Sequence, residues 1–480
     1  MVATATQLND EQQQIAYLHD VFARQKAAYL KAPYPTAAER RADLDKLSAA
    51  LRKYKDELCD AMNVDFSCRS KAETMLAEIM VTLEGIKYNR KHLKKWMKPS
   101  RRHVGMLFAP ASNKVHYQPK GVVGIMVPWN YPIQLAAAPL AAALAAGNRA
   151  VIKLSEFTPS TNEVMAKMFA EFFDEEQVAV MSGEAAVGAE FSNMHWDHLV
   201  FTGSTAVARH VMSACGKNLV PVTLELGGKS PCIVTENTSL KDAARSIIFG
   251  KATNAGQTCI APDYILCPSS KVEELKQELA AYYQHCFPTL RDNNDYTAIV
   301  NERQHQRLQN VLRDAEEKGA KVTPLNHANE DFSGTRKMPL TLVENATEDM
   351  LVMQDEIFGP LMPIKTYDNL NQALAYINAN PRPLALYLFS HHGAEQQHVL
   401  RQTHAGGVTI NDCLTHIAQD DMPFGGVGDS GIGAYHGKEG FLSLSHGKSV
   451  HKKGRINMGH LIHAPHDRFM HKLIYKFIIR

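Results

Sequence analysis

From about residue 121 the chain changes rhythm, and that change restricts the folds open to it more than any other feature of the sequence. Short apolar runs at Val122–Val127, Ala150–Leu154, Val178–Met181, His198–Thr202 and Val222–Leu226 alternate with helical stretches. One of these stretches is the alanine-rich Leu135–Gly147, and another lies near Asn162–Phe173. Strands separated by helices form a parallel sheet covered on both faces. Such sheets hold ligands beyond the carboxyl ends of their strands, so the chemistry is to be sought in the loops that follow them. A second block of the same kind runs from Cys232 to about Ile410, with a charged, turn-rich interval near Arg291–Tyr296.

The first hundred residues carry a helical period instead. Leu44, Leu47, Leu51, Tyr54 and Leu58 recur at steps of three and four and share one face. Thr36 with Glu39 reads as a capping box opening that helix. Leu76, Ile79, Met80, Leu83 and Ile86 form a second such face. Leu135–Gly147 is shorter than the ~20 residues of a membrane span, and Pro139 interrupts it, so it reads as a buried helix. Met1–Asp10 is polar and carries no secretory pattern, which points to a cytoplasmic chain.

With 480 residues, 45% of them hydrophobic and 21% charged, the chain has material for two or three domains with large cores and is not disordered. A net charge of +2 gives no electrostatic reason to expect a nucleic-acid partner. The eight cysteines include no C-x-x-C pair, which argues for reduced thiols, one of them reactive and seven serving as packing residues.

Three patterns look functional and are set aside. Gly426–Gly431 fits G-x-G-x-x-G but follows Met422-Pro423-Phe424 rather than opening a βαβ unit, so it reads as an irregular loop. Gly228-Lys229-Ser230 resembles the end of a P-loop, yet Thr223 stands where that loop needs glycine. His460, His463 and His466 would share one side of a helix, with no carboxylate or cysteine beside them, so no metal site is expected. The tail, Leu461–Arg480, reads as an amphipathic helix lying over its own protein in preference to a membrane surface.

Chemistry gathers at three positions. Cys259 closes the run Asn254-Ala255-Gly256-Gln257-Thr258-Cys259, where Gly256 permits close backbone approach and Gln257 and Thr258 are polar for a packed core. The opposing possibility is an ordinary buried thiol. Glu225, flanked by Leu224 and Leu226 at the end of an apolar run, loses hydration. That raises its pKa toward general-base range, unless a salt bridge to Lys229 holds it. Asn130 lies in Pro128-Trp129-Asn130-Tyr131-Pro132, where the prolines fix the loop and make its amide a suitable oxyanion donor.

Six segments in order resemble the NAD(P)-dependent aldehyde dehydrogenase superfamily, over almost the whole chain. They are Pro128–Pro132, Phe201-Thr202-Gly203-Ser204-Thr205, Leu224–Lys229, Gly256–Cys259, Glu356-Ile357-Phe358-Gly359-Pro360 and Pro423–Gly428. Within the superfamily the chain is similar to the class 3 branch and there to bacterial coniferyl aldehyde dehydrogenases. The resemblance implies that the Cys259 thiolate attacks the aldehyde, while the Asn130 amide and the Cys259 N–H hold the oxyanion. Hydride then passes to the nicotinamide, and Glu225 activates the water that hydrolyses the resulting thioester. It also implies cofactor contacts from Lys153, Glu156, Thr202, Gly203, Ser204, Glu356 and Phe358. NAD is expected with NADP possible, because Leu154 replaces the family's usual proline after Lys153 and leaves the exact position of Glu156 open.

The implied fold is α/β, with two Rossmann-like parallel-sheet domains and a small oligomerisation element. Residues 1–226 would bind the cofactor and 227–411 carry catalysis, while 100–120 with 412–440 bridge subunits and 441–480 form the tail. The implied assembly is a homodimer. His416–Pro423 resembles the coniferyl branch, which favours an aromatic aldehyde substrate over a medium- or long-chain aliphatic one. A CoA-acylating relative generally lacks the base at Glu225, and a silent relative would lack Cys259 or Glu225.

Overall fold

The computed structural model describes residues 5–455 and 458–479, so Met1–Thr4 of the polar start and Arg480 of the tail lie outside the described residues. The helical period of the first part is realised in Ala5–Lys31, Ala37–Phe66 and a long helix through Lys71–Trp96. The capping box forms, with the Glu39 N–H donating to Thr36 Oγ1 at 3.3 Å and the Thr36 N–H to Glu39 Oε2 at 2.7 Å. Leu44, Leu47, Leu51, Tyr54 and Leu58 are buried against the alanine-rich helix Pro132–Ala146. Its small side chains let the neighbouring helices approach closely. Buried Arg40 closes its far end, donating from Nη1 to the carbonyls of Ala145 at 3.1 Å and Ala146 at 2.7 Å.

The second helical face departs from expectation. Met75–Met80 is a π turn within the helix, and it re-aims the side chains around it. Ile79 and Ile86 are buried, whereas Leu76 and Met80 are exposed by half or more and border a large cavity.

Two sheets carry the architecture. The first has six strands in the order Gly431–Ile432, Val222–Glu225, His198–Thr202, Val122–Met126, Arg149–Lys153, Val178–Met181. All are parallel except Gly431–Ile432, which pairs antiparallel with the Glu225 strand. Strand order reverses at Val122–Met126, so the crevice between that strand and His198–Thr202 is the topological switch point. The second sheet has seven strands, with Leu361–Tyr367, Tyr264–Pro268, Pro231–Val234 and Ala385–Phe389 as consecutive parallel neighbours at its centre.

A third, antiparallel sheet joins Ser100–Arg102, Ala111–Pro119 and Ser445–Lys453. Within this chain 100–120 pairs with Ser445–Lys453 and not with 412–440. The partner strand belongs to the segment assigned to the tail, and its polar residues, exposed on both faces, carry no strand-like alternation. Residues 412–440 instead run as mostly irregular chain beside the cavity. In the tail helix Phe469–Ile478, His471 is buried and Met470, Leu473 and Ile474 are partly buried, while Phe469, Tyr475, Phe477 and Ile478 are exposed, so only part of its apolar face packs on this chain. Among the described residues no helix is long and apolar enough to cross a membrane.

The three tail histidines do not share a helix face, because the turn Met458–Ile462 ends before His463. Among the described residues no cluster of three or more His, Cys, Asp or Glu could hold a metal. All eight cysteines are free thiols, six of them buried. Cys286 is exposed, which corrects its assignment as a packing residue.

Candidate active site

The carboxyl ends of the first sheet face the amino ends of the second. Trp129-Asn130-Tyr131 follows the Val122–Met126 strand and Gly203-Ser204 follows His198–Thr202, so these loops flank the switch point. Opposite them, Cys259 lies just before the Tyr264–Pro268 strand, Glu356 before Leu361–Tyr367 and Leu384 before Ala385–Phe389. Between the two sets opens a cavity of about 370 Å³ whose walls include Thr202, Glu225, Thr258, Cys259 and Tyr131.

The turn leading to Cys259 is strained and held from behind. Asn254, Ala255 and Gly256 all have positive φ, at 51°, 51° and 74°. A Cβ on Gly256 would come within 2.4 Å of the Gly359 carbonyl oxygen, so the turn closes only with glycine there. Gln257 is not a polar lining group, as its sequence neighbours suggested, but a buried hub. Its Nε2 donates to the carbonyls of Asn254 at 2.9 Å and Ala298 at 3.1 Å, while its Oε1 accepts the Val300 N–H at 3.0 Å. Burial pushes the Cys259 thiol up to about 12, and the carboxylates of Glu356 and Glu225 act in the same direction. The backbone N–H groups of Cys259 and Ile260 favour its thiolate.

Asn130 is buried beside this turn, with Nδ2 donating to the Gln257 carbonyl at 3.2 Å. An amide nitrogen has two N–H bonds, so one remains for a ligand. The Asn130 carbonyl accepts from Arg69 Nη1 at 2.6 Å and Asn254 Nδ2 at 3.2 Å. Its neighbour Tyr131 shares a hydrogen bond with Thr258 at 2.8 Å, tying the loop to the residue before the thiol.

Glu225 ends its strand in the cavity wall, and neither carboxylate oxygen has a hydrogen-bond partner. Burial holds its carboxyl well above the usual carboxylate range. The alternative of a Glu225–Lys229 salt bridge is ruled out, because Lys229 pairs with Asp263 and donates to the carbonyls of Val352 at 2.8 Å and Asp355 at 3.0 Å.

The remaining residues form two groups. Buried Lys153 ends its strand and meets the more exposed Glu156 at 3.3 Å. Thr202 ends the neighbouring strand, and the Gly203 N–H donates to the Glu225 carbonyl at 3.1 Å. Ser204 caps the helix Thr205–Lys217, leaving that helix's positive end at the switch point. On the opposite side, the Glu356 carboxyl lies against Gly227, where a Cβ would come within 2.1 Å of Oε2. Burial and then Asp263 raise Glu356 to about 8. Phe358 meets Trp129 edge-on at 5.3 Å.

Several residues of the site were not singled out from sequence. Arg307 donates to the Ile357 carbonyl at 2.8 Å, and Asp263 accepts the Ile357 N–H at 2.9 Å, which fixes the Glu356–Phe358 loop. Leu76, Met80, Phe249, Ile417, Phe424 and Tyr435 supply apolar and aromatic wall. A helical period interrupted by a π turn hides Leu76 and Met80, and the charges of Arg69, Glu73 and Glu78 carry no sequence sign of the partners they meet across the fold.

Comparison with known proteins follows this geometry. Residues 11–450 match the model of the aldehyde dehydrogenase family. A probable coniferyl aldehyde dehydrogenase of Pseudomonas aeruginosa is 54% identical over 480 residues, covering 100% of each chain. The substrate-bound AldH structure from Staphylococcus aureus superposes with a TM-score of 0.90 at 38% identity, covering 96% of this chain and 99% of that one. The NAD+ complex of a Bacillus cereus aldehyde dehydrogenase gives a TM-score of 0.83 at 26% identity, covering 92% and 89%.

A thiol held up to about 12 is almost wholly protonated near neutrality. Its thiolate fraction, and with it the alkylation rate, therefore rises about tenfold per pH unit. Peptide mass spectrometry after iodoacetamide should show exposed Cys286 modified at neutral pH and Cys259 labelling still climbing through pH 9. A Cys259 rate that levels off below pH 8 would contradict this burial effect.

Proposed function

The chain belongs to the aldehyde dehydrogenase family, and from that premise we propose that it oxidises an aromatic, coniferyl-type aldehyde to its carboxylic acid with NAD. The observation that carries the reading is that Cys259 and Glu225 line one apolar cavity while both Glu225 oxygens lack partners. A carboxyl group buried in that state is suited to take a proton from water.

The Cys259 thiol releases its proton to solvent, its thiolate attacks the aldehyde carbon, and the carbonyl oxygen becomes an oxyanion. The free N–H of the Asn130 amide and the Cys259 backbone N–H hold that charge. When bound, the nicotinamide dinucleotide supplies the acceptor for the hydride released as the thiohemiacetal becomes a thioester. Glu225 then takes a proton from the water that attacks the thioester carbon, and the Cys259 sulfur leaves as the acid forms.

The residues present fit a dinucleotide. Gly203 and Ser204 at the helix terminus suit a pyrophosphate, Lys153 and Glu156 suit ribose hydroxyls, and Glu356 with Phe358 suits the nicotinamide ribose. The Glu156 carboxylate repels a ribose 2′-phosphate, which supports NAD over NADP. On the substrate side, Tyr131, Phe249, Phe424 and Tyr435 place several rings in the wall, which favours edge and face contacts with a conjugated ring. The name of the Pseudomonas aeruginosa relative supports the same substrate class. Glu225 argues against release of the thioester to CoA.

The antiparallel sheet supports a homodimer, because Ser445–Lys453 is its edge strand and is exposed along nearly its whole length. Such an edge is a template for pairing with another chain.

Cys259→Ala should abolish NADH formation while dinucleotide binding survives, and Glu225→Gln should give a burst of about one NADH per site followed by slow turnover. Full steady-state turnover in either variant would sink the mechanism. In a kcat/KM panel, coniferaldehyde with NAD should exceed benzaldehyde, decanal and every NADP pairing; a preference for decanal would move the substrate class to aliphatic aldehydes. Sedimentation equilibrium at micromolar concentration should return twice the chain mass, and a monomer would refute the pairing.

A further inference from the structure

Three charged side chains on one short stretch, with Arg69 and Glu78 buried and Glu73 partly buried at the cavity wall, have no role in the mechanism above. Arg69 follows the left-handed Ser67 that ends the Ala37–Phe66 helix, and the Arg69 N–H donates to Asn63 Oδ1 at 3.0 Å. Its guanidinium has no exposed surface and lies over the rings of Phe66 at 5.0 Å and Tyr131 at 4.8 Å. Nη2 stands 3.1 Å from Glu78 Oε1, off the line of a hydrogen bond, and Nε stands 3.7 Å from Glu73 Oε1.

Most of their other contacts go to the Asn130 loop with the helix that follows it and to the Cys259 turn. Arg69 Nη1 holds the Asn130 carbonyl at 2.6 Å. Glu78 Oε2 accepts the N–H groups of Ile133 at 2.9 Å and Gln134 at 3.2 Å, fixing the first turn of the helix that follows Asn130. Glu73 accepts the Asn254 N–H at 3.0 Å and the Thr297 hydroxyl at 3.3 Å, gripping the strained turn before Cys259. The cluster therefore ties the Asn130 loop of one sheet to the Cys259 turn of the other.

We propose that Arg69, paired with Glu78 and Glu73, is a positioning residue that holds the Asn130 amide in register with Cys259. The proposal rests on the reading of Asn130 as an oxyanion donor. Stability alone gives little reason to bury such a cluster, since well-packed apolar residues often replace buried ion pairs without loss. Geometry gives a stronger reason, because a misplacement of about 1 Å near the reacting atoms can cost about 10² in rate.

The test is a double-mutant cycle on the full-length enzyme. Arg69→Lys keeps a cation between the carboxylates and loses the guanidinium fork, while Glu78→Gln keeps an acceptor for Ile133 and Gln134 and loses the charge pair. Each should lower kcat for NADH formation by about 10- to 100-fold, with dinucleotide affinity from fluorescence titration within about twofold of the parent. In an Asn130→Ala background the same substitutions should cost less than about twofold more, because the group they position is gone. Equal fold losses in both backgrounds would assign the cluster a general structural role and overturn the proposal, as would parental kcat in both single variants. If one of the two variants does not fold, the other carries the cycle. Asn130→Ala with undiminished kcat is a different result: it would remove the oxyanion reading itself, and this inference with it.

Discussion

A carboxyl group buried without a partner is costly, and much of this fold is arranged around keeping one in place. Glu225 lies at the end of the strand Val222–Glu225, next to the edge of its sheet, with no hydrogen bond to either oxygen. Its position is set by the backbone alone: the strand His198–Thr202 pairs on one side and Gly431–Ile432 on the other. Desolvation raises its pKa, so its carboxylate takes a proton more readily than an exposed one would. The same water exclusion raises Cys259 and Glu356. Cys259 and Glu225 share one cavity, and the carboxylates of Glu356 and Glu225 both disfavour the Cys259 thiolate.

The glycines near the end of the chain take their meaning from this arrangement. Gly426–Gly431 has the spacing of a phosphate cradle, yet a Cβ on Gly431, at φ 150°, would meet the Leu224 carbonyl oxygen at 2.3 Å. Glycine is needed there so that one backbone can lie against the strand that presents Glu225.

Much of the architecture was legible because parallel strands buried on both faces read as continuous apolar runs. Val178–Met181 and His198–Thr202 have the bounds expected of them. Glu225 was legible for the related reason that a carboxylate between leucines has nowhere wet to go. Other features were hidden. Ser445–Lys453 is paired through its backbone and exposed through its side chains, so no hydrophobic period marks it. Leu76 and Met80 follow a helical period that the π turn breaks. The Arg69 cluster was invisible because its meaning lies in what each charge touches across the fold, at Asn130, Ile133 and Asn254. Sequence spacing puts Arg69, Glu73 and Glu78 on one short stretch, but gives no sign of those partners.

The apolar lining of the cavity has a consequence for the direction of turnover. An aldehyde is uncharged, and walls of Leu76, Phe249, Ile417 and Phe424 hold its hydrocarbon part out of water. The acid formed from it ionises with a pKa far below neutral pH, and a carboxylate is poorly solvated by those same walls. The chamber that retains the reactant is therefore inhospitable to what the reaction makes, and ionisation itself drives the product toward bulk solvent. A surface that discriminates by charge at a single carbon clears the site after each cycle without any moving part.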